Sequence, residues 1–484
     1  MNEKSPLQRQ SDIFDIVVVG AGPGGYVAAI RAAQHGLRVA VVERAELGGV
    51  CANWGCIPTK AMLHGADVAH AIEESAALGF AVAGVAFDMG SLVGFSRKVV
   101  ARLTGGIASL LDANGIEVVR GSATVAGKGR VRVDLPDGVG RDLRADHIIV
   151  ATGARPRSIP GVVPDGDRIW TSTDALRPAD RPASLVVIGS GAIGVEFASL
   201  YRDLGTEVIL LEAAPAILPV EDAAVSAFVE KQFTARGIAV HTGVSIDSVQ
   251  AGPASVEVRF RTAAGADVST VAERVLVATG VAANSEGLGL AELGVRFDRG
   301  FVVTDEWCRT AVAGLYAVGD VAGAPCLAHK ASHEAVVCVD RIVGEPGVHP
   351  LDRDYIPGCT YSRPQVASLG LTEKQARETG RPLQVGVFDL VANGKALALN
   401  EPSGFVKTIF DGETGELLGA HLVGPEVTEM IQGFGIARGL EATAESLADI
   451  VFAHPTVSEA MHESVLAALG RSLHWPPAKA TAAR

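Results

Sequence analysis

The sequence is poor in basic charge, in cysteine, in aromatic residues and in long apolar runs. Against 42 Lys and Arg stand 55 Asp and Glu, a net charge of −13. No basic stripe interrupts that excess, which disfavours nucleic-acid binding. Six cysteines in 484 residues are not a disulfide framework. Cys308, Cys326, Cys338 and Cys359 are isolated along the chain and are expected to be small buried hydrophobes. No uninterrupted apolar run reaches the roughly 18 residues a membrane span needs. Met1 to Phe14 carries Glu, Lys, Arg, Gln and Asp and lacks the apolar core of a signal peptide, so a cytoplasmic location is expected. Aromatics are scarce at 5%. Glycine is abundant instead, 56 of 484, against a background of roughly 7%. Without collagen periodicity or dense cysteine, that points to tight turns and close backbone approaches in a folded chain of about three domains.

One internal repeat organises the chain. Ile16 to Val19 reads as a strand, followed by Gly20-Ala21-Gly22-Pro23-Gly24-Gly25, an alanine-rich helix and a strand Arg38 to Val42 ending at Glu43. Leu185 to Ile188 leads likewise into Gly189-Ser190-Gly191-Ala192-Ile193-Gly194, a helix to about Leu204, and a strand Glu207 to Leu211 ending at Glu212. First glycine to closing acid spans 23 residues in both copies. Each copy later reaches an apolar strand ending in Ala-Thr-Gly, at Ala151-Thr152-Gly153 and at Ala278-Thr279-Gly280. The first glycine permits the turn, the second admits a pyrophosphate, and the third lets helix pack on strand. The pyrophosphate then rests on unpaired N–H groups at the helix start, and the closing carboxylate accepts from ribose hydroxyls. One such motif is a weak signal. Two in register predict two dinucleotide sites.

Glu212 also selects the nucleotide. A 2′-phosphate needs positive charge, and no arginine occurs between Glu212 and Phe233, so NAD is expected over NADP.

Just beyond the first copy, Leu47-Gly48-Gly49-Val50-Cys51-Ala52-Asn53-Trp54-Gly55-Cys56-Ile57-Pro58-Thr59-Lys60 sets two cysteines four residues apart. Pro58 suits a helix start, and Thr59 to Ala71 reads helical. Cys56 then lies near a helix N-terminus, where the dipole favours thiolate, and Lys60 lies one turn further on. Inert thiols and half of a zinc site, with His64 and His70 as the only near candidates, are the other readings of the same residues. Near the C-terminus, Ala453-His454-Pro455-Thr456-Val457-Ser458-Glu459 places an imidazole five residues from a carboxylate. That suits acid–base work on a thiol, and equally an ordinary loop histidine.

The segment from Gly48 to Lys60 resembles the active-site stretch of flavin-dependent disulfide oxidoreductases, the class I pyridine nucleotide-disulfide oxidoreductases. The likeness runs from Asp15 to about Leu469. It implies an α/β fold with two Rossmann-like domains, for FAD and NAD, and a C-terminal α+β dimerisation domain. It implies a redox-active Cys51–Cys56 disulfide, and a His454–Glu459 pair acting on the other subunit of a homodimer. Implied FAD contacts are Gly20, Gly22, Gly25, Glu43, Lys60, Gly121, Ala151, Thr152, Gly153 and Asp320, the last in Thr310 to Asp320, together with Leu327, Ala328 and His329. Implied NAD contacts are Gly189, Gly191, Gly194, Glu196, Glu212, Val244 and Gly280, with Glu196 also matching an acid that pairs with Lys60. No metal is implied.

Within the family, Leu327-Ala328-His329-Lys330-Ala331, Ala392 to Ala396, Gly404 to Lys407 and Gly419 to Pro425 resemble the dihydrolipoamide dehydrogenases. Their resemblance implies oxidation of protein-bound dihydrolipoamide with reduction of NAD, and lipoyl domains of 2-oxo acid dehydrogenase or glycine-cleavage proteins as partners. A reductase of another small disulfide and a non-catalytic scaffold subunit are the competing classes. One departure stands out: where the group shows Arg-x-Pro-Asn, this chain has Val281-Ala282-Ala283-Asn284. The expected division is residues 1–150 for FAD, 151–282 for NAD, 283–352 completing the FAD site, 353–470 at the interface and 471–484 as tail. Met1 to Ser11 and Trp475 to Arg484 are expected to be mobile ends.

Overall fold

The computed structural model describes residues 12–476. Of the expected mobile ends, Met1 to Ser11 and residues 477–484 lie outside the described residues. Trp475 does not float: its ring stacks edge-on against Phe388, centroids 6.3 Å apart.

Strands that are apolar on both faces need helices on both faces. The run Ile13–Val19 meets that need between Val39–Glu43 and Gly140–Val150, both parallel to it. Glu117–Arg120 lies beyond Val39–Glu43, and Arg130–Asp134 and Ser122–Gly127 extend the other side antiparallel. Gly140–Val150 is long enough to serve twice. Its start pairs with Arg130–Asp134, while Ile148 to Val150 pair in parallel with Leu315–Ala317. The chain thus returns to the first sheet after residue 300, and the helix Ala328–Val343 packs against Pro23–Gln34.

A second parallel sheet runs in the order Ala239–His241, Glu207–Leu211, Ser184–Ile188, Arg274–Val277, Ile169–Trp170. A three-stranded antiparallel sheet, Ser245–Ala251 to Asp267–Ala272, packs beside it. The C-terminal part is a five-stranded antiparallel sheet ordered Gly358–Thr360, Gln365–Gly370, Leu417–Gly424, Phe405–Asp411, Leu383–Asp389. The helices Val427–Gly439 and Glu459–Ala468 lie on it. The architecture is α/β with two dinucleotide-type sheets and an α+β C-terminal part. A buried ion group fastens this last part to the second sheet's layer: Lys407 Nζ lies 2.8 Å from Asp222 Oδ1 and 2.7 Å from Glu373 Oε2.

Two of the four outlying cysteines depart from expectation. Cys308 and Cys338 are buried, but they neighbour each other in one core; Cys326 and Cys359 are only half-buried.

Candidate active site

Gly20 and Gly189 take φ of 100° and 102°, a region that costs glycine little and other residues much. A Cβ at either would strike the backbone of Ala151 or Ala278, and one at Gly25 or Gly194 would strike the carbonyl of Gly20 or Gly189. Each turn hangs from the neighbouring strand, with Gly20 N donating to Val42 O and Gly189 N to Leu211 O, both at 2.8 Å. The helices Pro23–Gln34 and Ala192–Asp203 start on extended Gly22 and Gly191 with no side-chain cap. Their unpaired N–H groups are therefore open to an anion.

The closing carboxylates are aimed over the turns. Glu43 accepts from Ala21 N at 2.7 Å and Ala45 N at 2.8 Å. Glu212 accepts from Ser190 N, Ser190 Oγ and Ala214 N, each at 2.7 Å. Gly121 N and Val244 N donate to the main-chain oxygens of Glu43 and Glu212, both at 3.0 Å, so these two residues hold equivalent places.

The two Ala-Thr-Gly ends are joined by the segment that lacks the usual arginine. Val281–Ala283 pairs antiparallel with Ala154–Pro156. Thr152 Oγ1 donates to Asn284 O at 2.7 Å, and Asn284 Nδ2 donates back to Thr152 O at 3.0 Å. A guanidinium does stand beside Gly280: Arg157 Nη2 donates to Thr279 O at 2.5 Å. It comes from another stretch of chain, so no spacing rule pointed to it.

The cysteine segment forms two helices, Gly49–Trp54 and Cys56–Glu74, broken at Gly55. Asn53 Nδ2 ties the loop by donating to Leu47 O and Gly49 O, both at 2.9 Å. Gly48 N donates to Ala21 O at 2.8 Å, and a Cβ on Gly49 would come within 2.7 Å of Gly22 Cα. The loop therefore lies on the first glycine turn. Trp54 sits under two guanidinium groups, Arg97 at 4.3 Å and Arg177 at 5.0 Å from its ring centroid, a clamp the sequence did not announce.

Cys56 is the first residue of the long helix and keeps exposed surface against which a flat ring can lie. Cys51 and Cys56 stand as free thiols that share a hydrogen bond. The bond from Cys51 pulls Cys56 down to about 7 against the opposing effect of burial, with Lys60 helping and Glu196 opposing. The same bond, then burial, pushes Cys51 well above the thiol range. The direction makes Cys56 the thiol that ionises first and Cys51 the one that keeps its proton longer. Lys60 Nζ donates to both oxygens of Glu196 at 2.8 Å, and Glu196 is buried.

Asp320 follows Leu315–Ala317 on the turn Gly319–Ala322, where burial pushes its carboxyl up. Buried Lys330 and Glu334 shape that turn: Lys330 Nζ donates to Gly323 O at 2.7 Å, and Gly319 N donates to Glu334 Oε2 at 2.8 Å. Leu327 and Ala328 open the helix behind it, and His329 Nε2 donates to Pro357 O at 2.8 Å. The uncapped helix start, the glycine cradle, Glu43 set over the turn and the exposed Cys56 suit a flavin dinucleotide. The second cradle suits a dinucleotide without such a cover.

His454 Nδ1 donates to Glu459 Oε1 at 2.9 Å, and Thr456 N donates to Glu459 Oε2 at 2.9 Å. Burial pushes the Glu459 carboxyl up, but Thr456 and His454 together hold it below its ordinary value. The imidazole is 77% exposed, and no hydrogen bond or ion pair of this pair reaches the cysteine segment of the same chain. His462 turns away, with Nε2 on Ala448 O and its ring stacked on Phe452. No group of three or more potential metal ligands occurs among the described residues. No helix there is long and apolar enough to cross a membrane.

Fold and site together define a two-nucleotide oxidoreductase with a thiol pair. Residues 14–335 match the model of the pyridine nucleotide-disulphide oxidoreductases, and residues 356–465 match their dimerisation domain. The chain belongs to that family. It is similar to a dihydrolipoyl dehydrogenase of Zymomonas mobilis, 51% identical over 96% of this chain and 100% of the relative. A dihydrolipoyl dehydrogenase of Rhizobium etli is 50% identical over the same shares. Among solved structures, LpdA of Mycobacterium tuberculosis is similar with a TM-score of 0.87 at 28% identity, covering 93% of this chain and 98% of that one. A Cu(II) complex of the HOCl-induced flavoprotein disulfide reductase RclA of Escherichia coli gives 0.84 at 27% identity over the same shares.

Proposed function

We propose that this chain is the FAD- and NAD-dependent enzyme that oxidises protein-bound dihydrolipoamide to lipoamide. The observation that carries the reading is the placement of the thiol pair: Cys51 and Cys56 lie within hydrogen-bonding reach of each other, and Cys56 heads the helix that also carries Lys60.

The cycle starts from the Cys51–Cys56 disulfide. His454 of the partner subunit takes a proton from one lipoyl thiol, with Glu459 holding the imidazole through Nδ1. The lipoyl thiolate attacks the Cys51 sulfur, the Cys51–Cys56 bond breaks, and Cys56 departs with the electron pair. Its lowered pKa makes it the better leaving group. The second lipoyl thiol loses its proton and attacks the substrate sulfur of the mixed disulfide. That closes oxidised lipoamide and frees Cys51, which takes up a proton. Bound FAD supplies two-electron acceptance from the cysteine couple and delivery to NAD, which returns the couple to its disulfide. Glu43 and the Pro23–Gln34 helix start would hold the first nucleotide, and Glu212 and the Ala192–Asp203 helix start the second.

Lipoyl domains of 2-oxo acid dehydrogenase or glycine-cleavage proteins are the partners this reading carries, because the relatives it resembles are dihydrolipoyl dehydrogenases. A reducing cytoplasm suits a chain whose other four cysteines, Cys308, Cys326, Cys338 and Cys359, form no disulfide. The test is Cys51→Ser: dihydrolipoamide turnover is abolished while the purified protein stays yellow. Turnover retained in that variant would overturn the reading.

A further inference from the structure

We infer that Tyr361 is a positioning residue for the Cys56 thiolate, acting through the Lys60–Glu196 pair; the inference rests on the proposed redox role of Cys56. Tyr361 lies just past the strand Gly358–Thr360, in the C-terminal sheet region. It grips both members of the pair at once. Lys60 Nζ stands 4.3 Å from its ring centroid, and its backbone N donates to Glu196 Oε1 at 2.9 Å.

Each grip has its own effect. The ring face attracts the ammonium and fixes the end of a flexible four-carbon chain that Glu196 alone would hold from one side. The amide bond to Glu196 fixes the carboxylate that receives Lys60, and that carboxylate has no room to move because it is buried. Glu196 comes from the second nucleotide unit, Lys60 from the helix of the thiol pair, and Tyr361 from the C-terminal sheet. Three parts of the fold therefore meet on one ammonium.

The charge balance at Cys56 depends on where that ammonium sits. The groups that face Cys56 are Cys51, Lys60 and Glu196, with Lys60 favouring the thiolate and Glu196 opposing it. If the ammonium drifts toward solvent, Glu196 is left as the nearer charge and the thiolate loses support from both directions. Around Tyr361 itself stand Cys359, Glu429 and Glu196, all of which disfavour ionisation of its hydroxyl, as does burial. The phenol stays neutral, so its ring, not its charge, does the holding.

The experiment is the pH dependence of Cys56 alkylation by iodoacetamide in the full-length protein after reduction with excess phosphine, read by mass spectrometry at the Cys56 peptide. Tyr361→Phe keeps the ring and the amide and leaves the midpoint where it is. Tyr361→Leu raises it by roughly half a unit to one unit, which from a midpoint near 7 is about a two- to fivefold slower reaction at pH 7, part of what a nearby opposite charge contributes. In a Lys60→Met background, Tyr361→Leu adds no further shift, because the two act as one unit. Should Tyr361→Leu not fold, Tyr361→Met fills the space without a ring and carries the same test. An unmoved midpoint in the Leu or Met variant, or an equal shift without Lys60, overturns the inference. Failure of the wild-type protein to form a Cys51–Cys56 disulfide on mild oxidation would overturn the redox reading itself, whatever Tyr361 does.

Discussion

The two glycine turns are nearly the same object, yet their surroundings differ. Positive φ at Gly20 and Gly189, strand bonds of 2.8 Å, and an acid whose main-chain oxygen accepts at 3.0 Å recur in both. What differs is the cover. On the first turn lies the cysteine loop, with Gly48 N on Ala21 O and Gly49 pressed toward Gly22. A Cβ at Gly191 would meet nothing within 4 Å. On the proposed function, a nucleotide under the loop would be enclosed and held through many turnovers, whereas one on the second turn could come and go. The same motif would then serve a prosthetic group in one place and an exchanging coenzyme in the other.

The sharpest way to break this comparison is to damage each turn in the same manner. Gly20→Val yields colourless protein, and Gly189→Val yields yellow protein that no longer reduces NAD; flavin content after gel filtration and a nicotinamide assay check both. Equal loss of colour in the two variants would mean the turns are not specialised.

A smaller effect concerns nucleotide choice. Glu212 is already aimed over its turn by Ser190 and Ala214. A 2′-phosphate placed there would meet like charge, so NADP should support turnover roughly a hundredfold less well than NAD, the scale of a few kcal/mol of repulsion at short range. Comparable kcat/KM for both nucleotides would contradict the assignment of Glu212.

The second unit is also fastened from its far side, by Lys407 on Asp222 and Glu373. Lys407→Met leaves buried Asp222 without its cation, while Glu373 keeps Arg377, and should cost about 3 kcal/mol of stability at pH 7, measured as a lower urea midpoint. Burial raises the Asp222 carboxyl, but Lys407 and two amides overcome that and hold it below its ordinary value. A depressed pKa stabilises the folded state above the unfolded value, and the contribution fades as pH falls through the folded one. The gap between variant and wild type should therefore narrow below about pH 4. A gap that widens on acidification would show that the bridge is not its source.

Much of this was legible because glycine turns and helix starts are local events. The strand, Gly20 and Glu43 are linked through neighbours in sequence, and the structure sets Ile13–Val19 and Val39–Glu43 within a few residues of the expected bounds. The helix expected from Thr59 to Ala71 begins three residues earlier, at Cys56, since Pro58 sits within the first turn. What stayed hidden depends on long-range packing. Tyr361 reaches Glu196 across 165 positions, Arg157 reaches Thr279 across 122, and Trp54 gains its two guanidinium neighbours from distant segments. No periodicity encodes such meetings. That the free thiols Cys308 and Cys338 are neighbours in one core was missed for the same reason, and reading cysteines singly concealed it.

The central claim is that the Cys56 thiolate lies against the flavin. Anaerobic addition of one equivalent of dihydrolipoamide to the yellow protein, followed by stopped-flow absorbance, tests it most directly. A new long-wavelength shoulder from thiolate-to-flavin charge transfer is expected, present in the wild type and missing in Cys56→Ser. A wild-type protein that holds its flavin, consumes the dithiol and never develops the shoulder would contradict it.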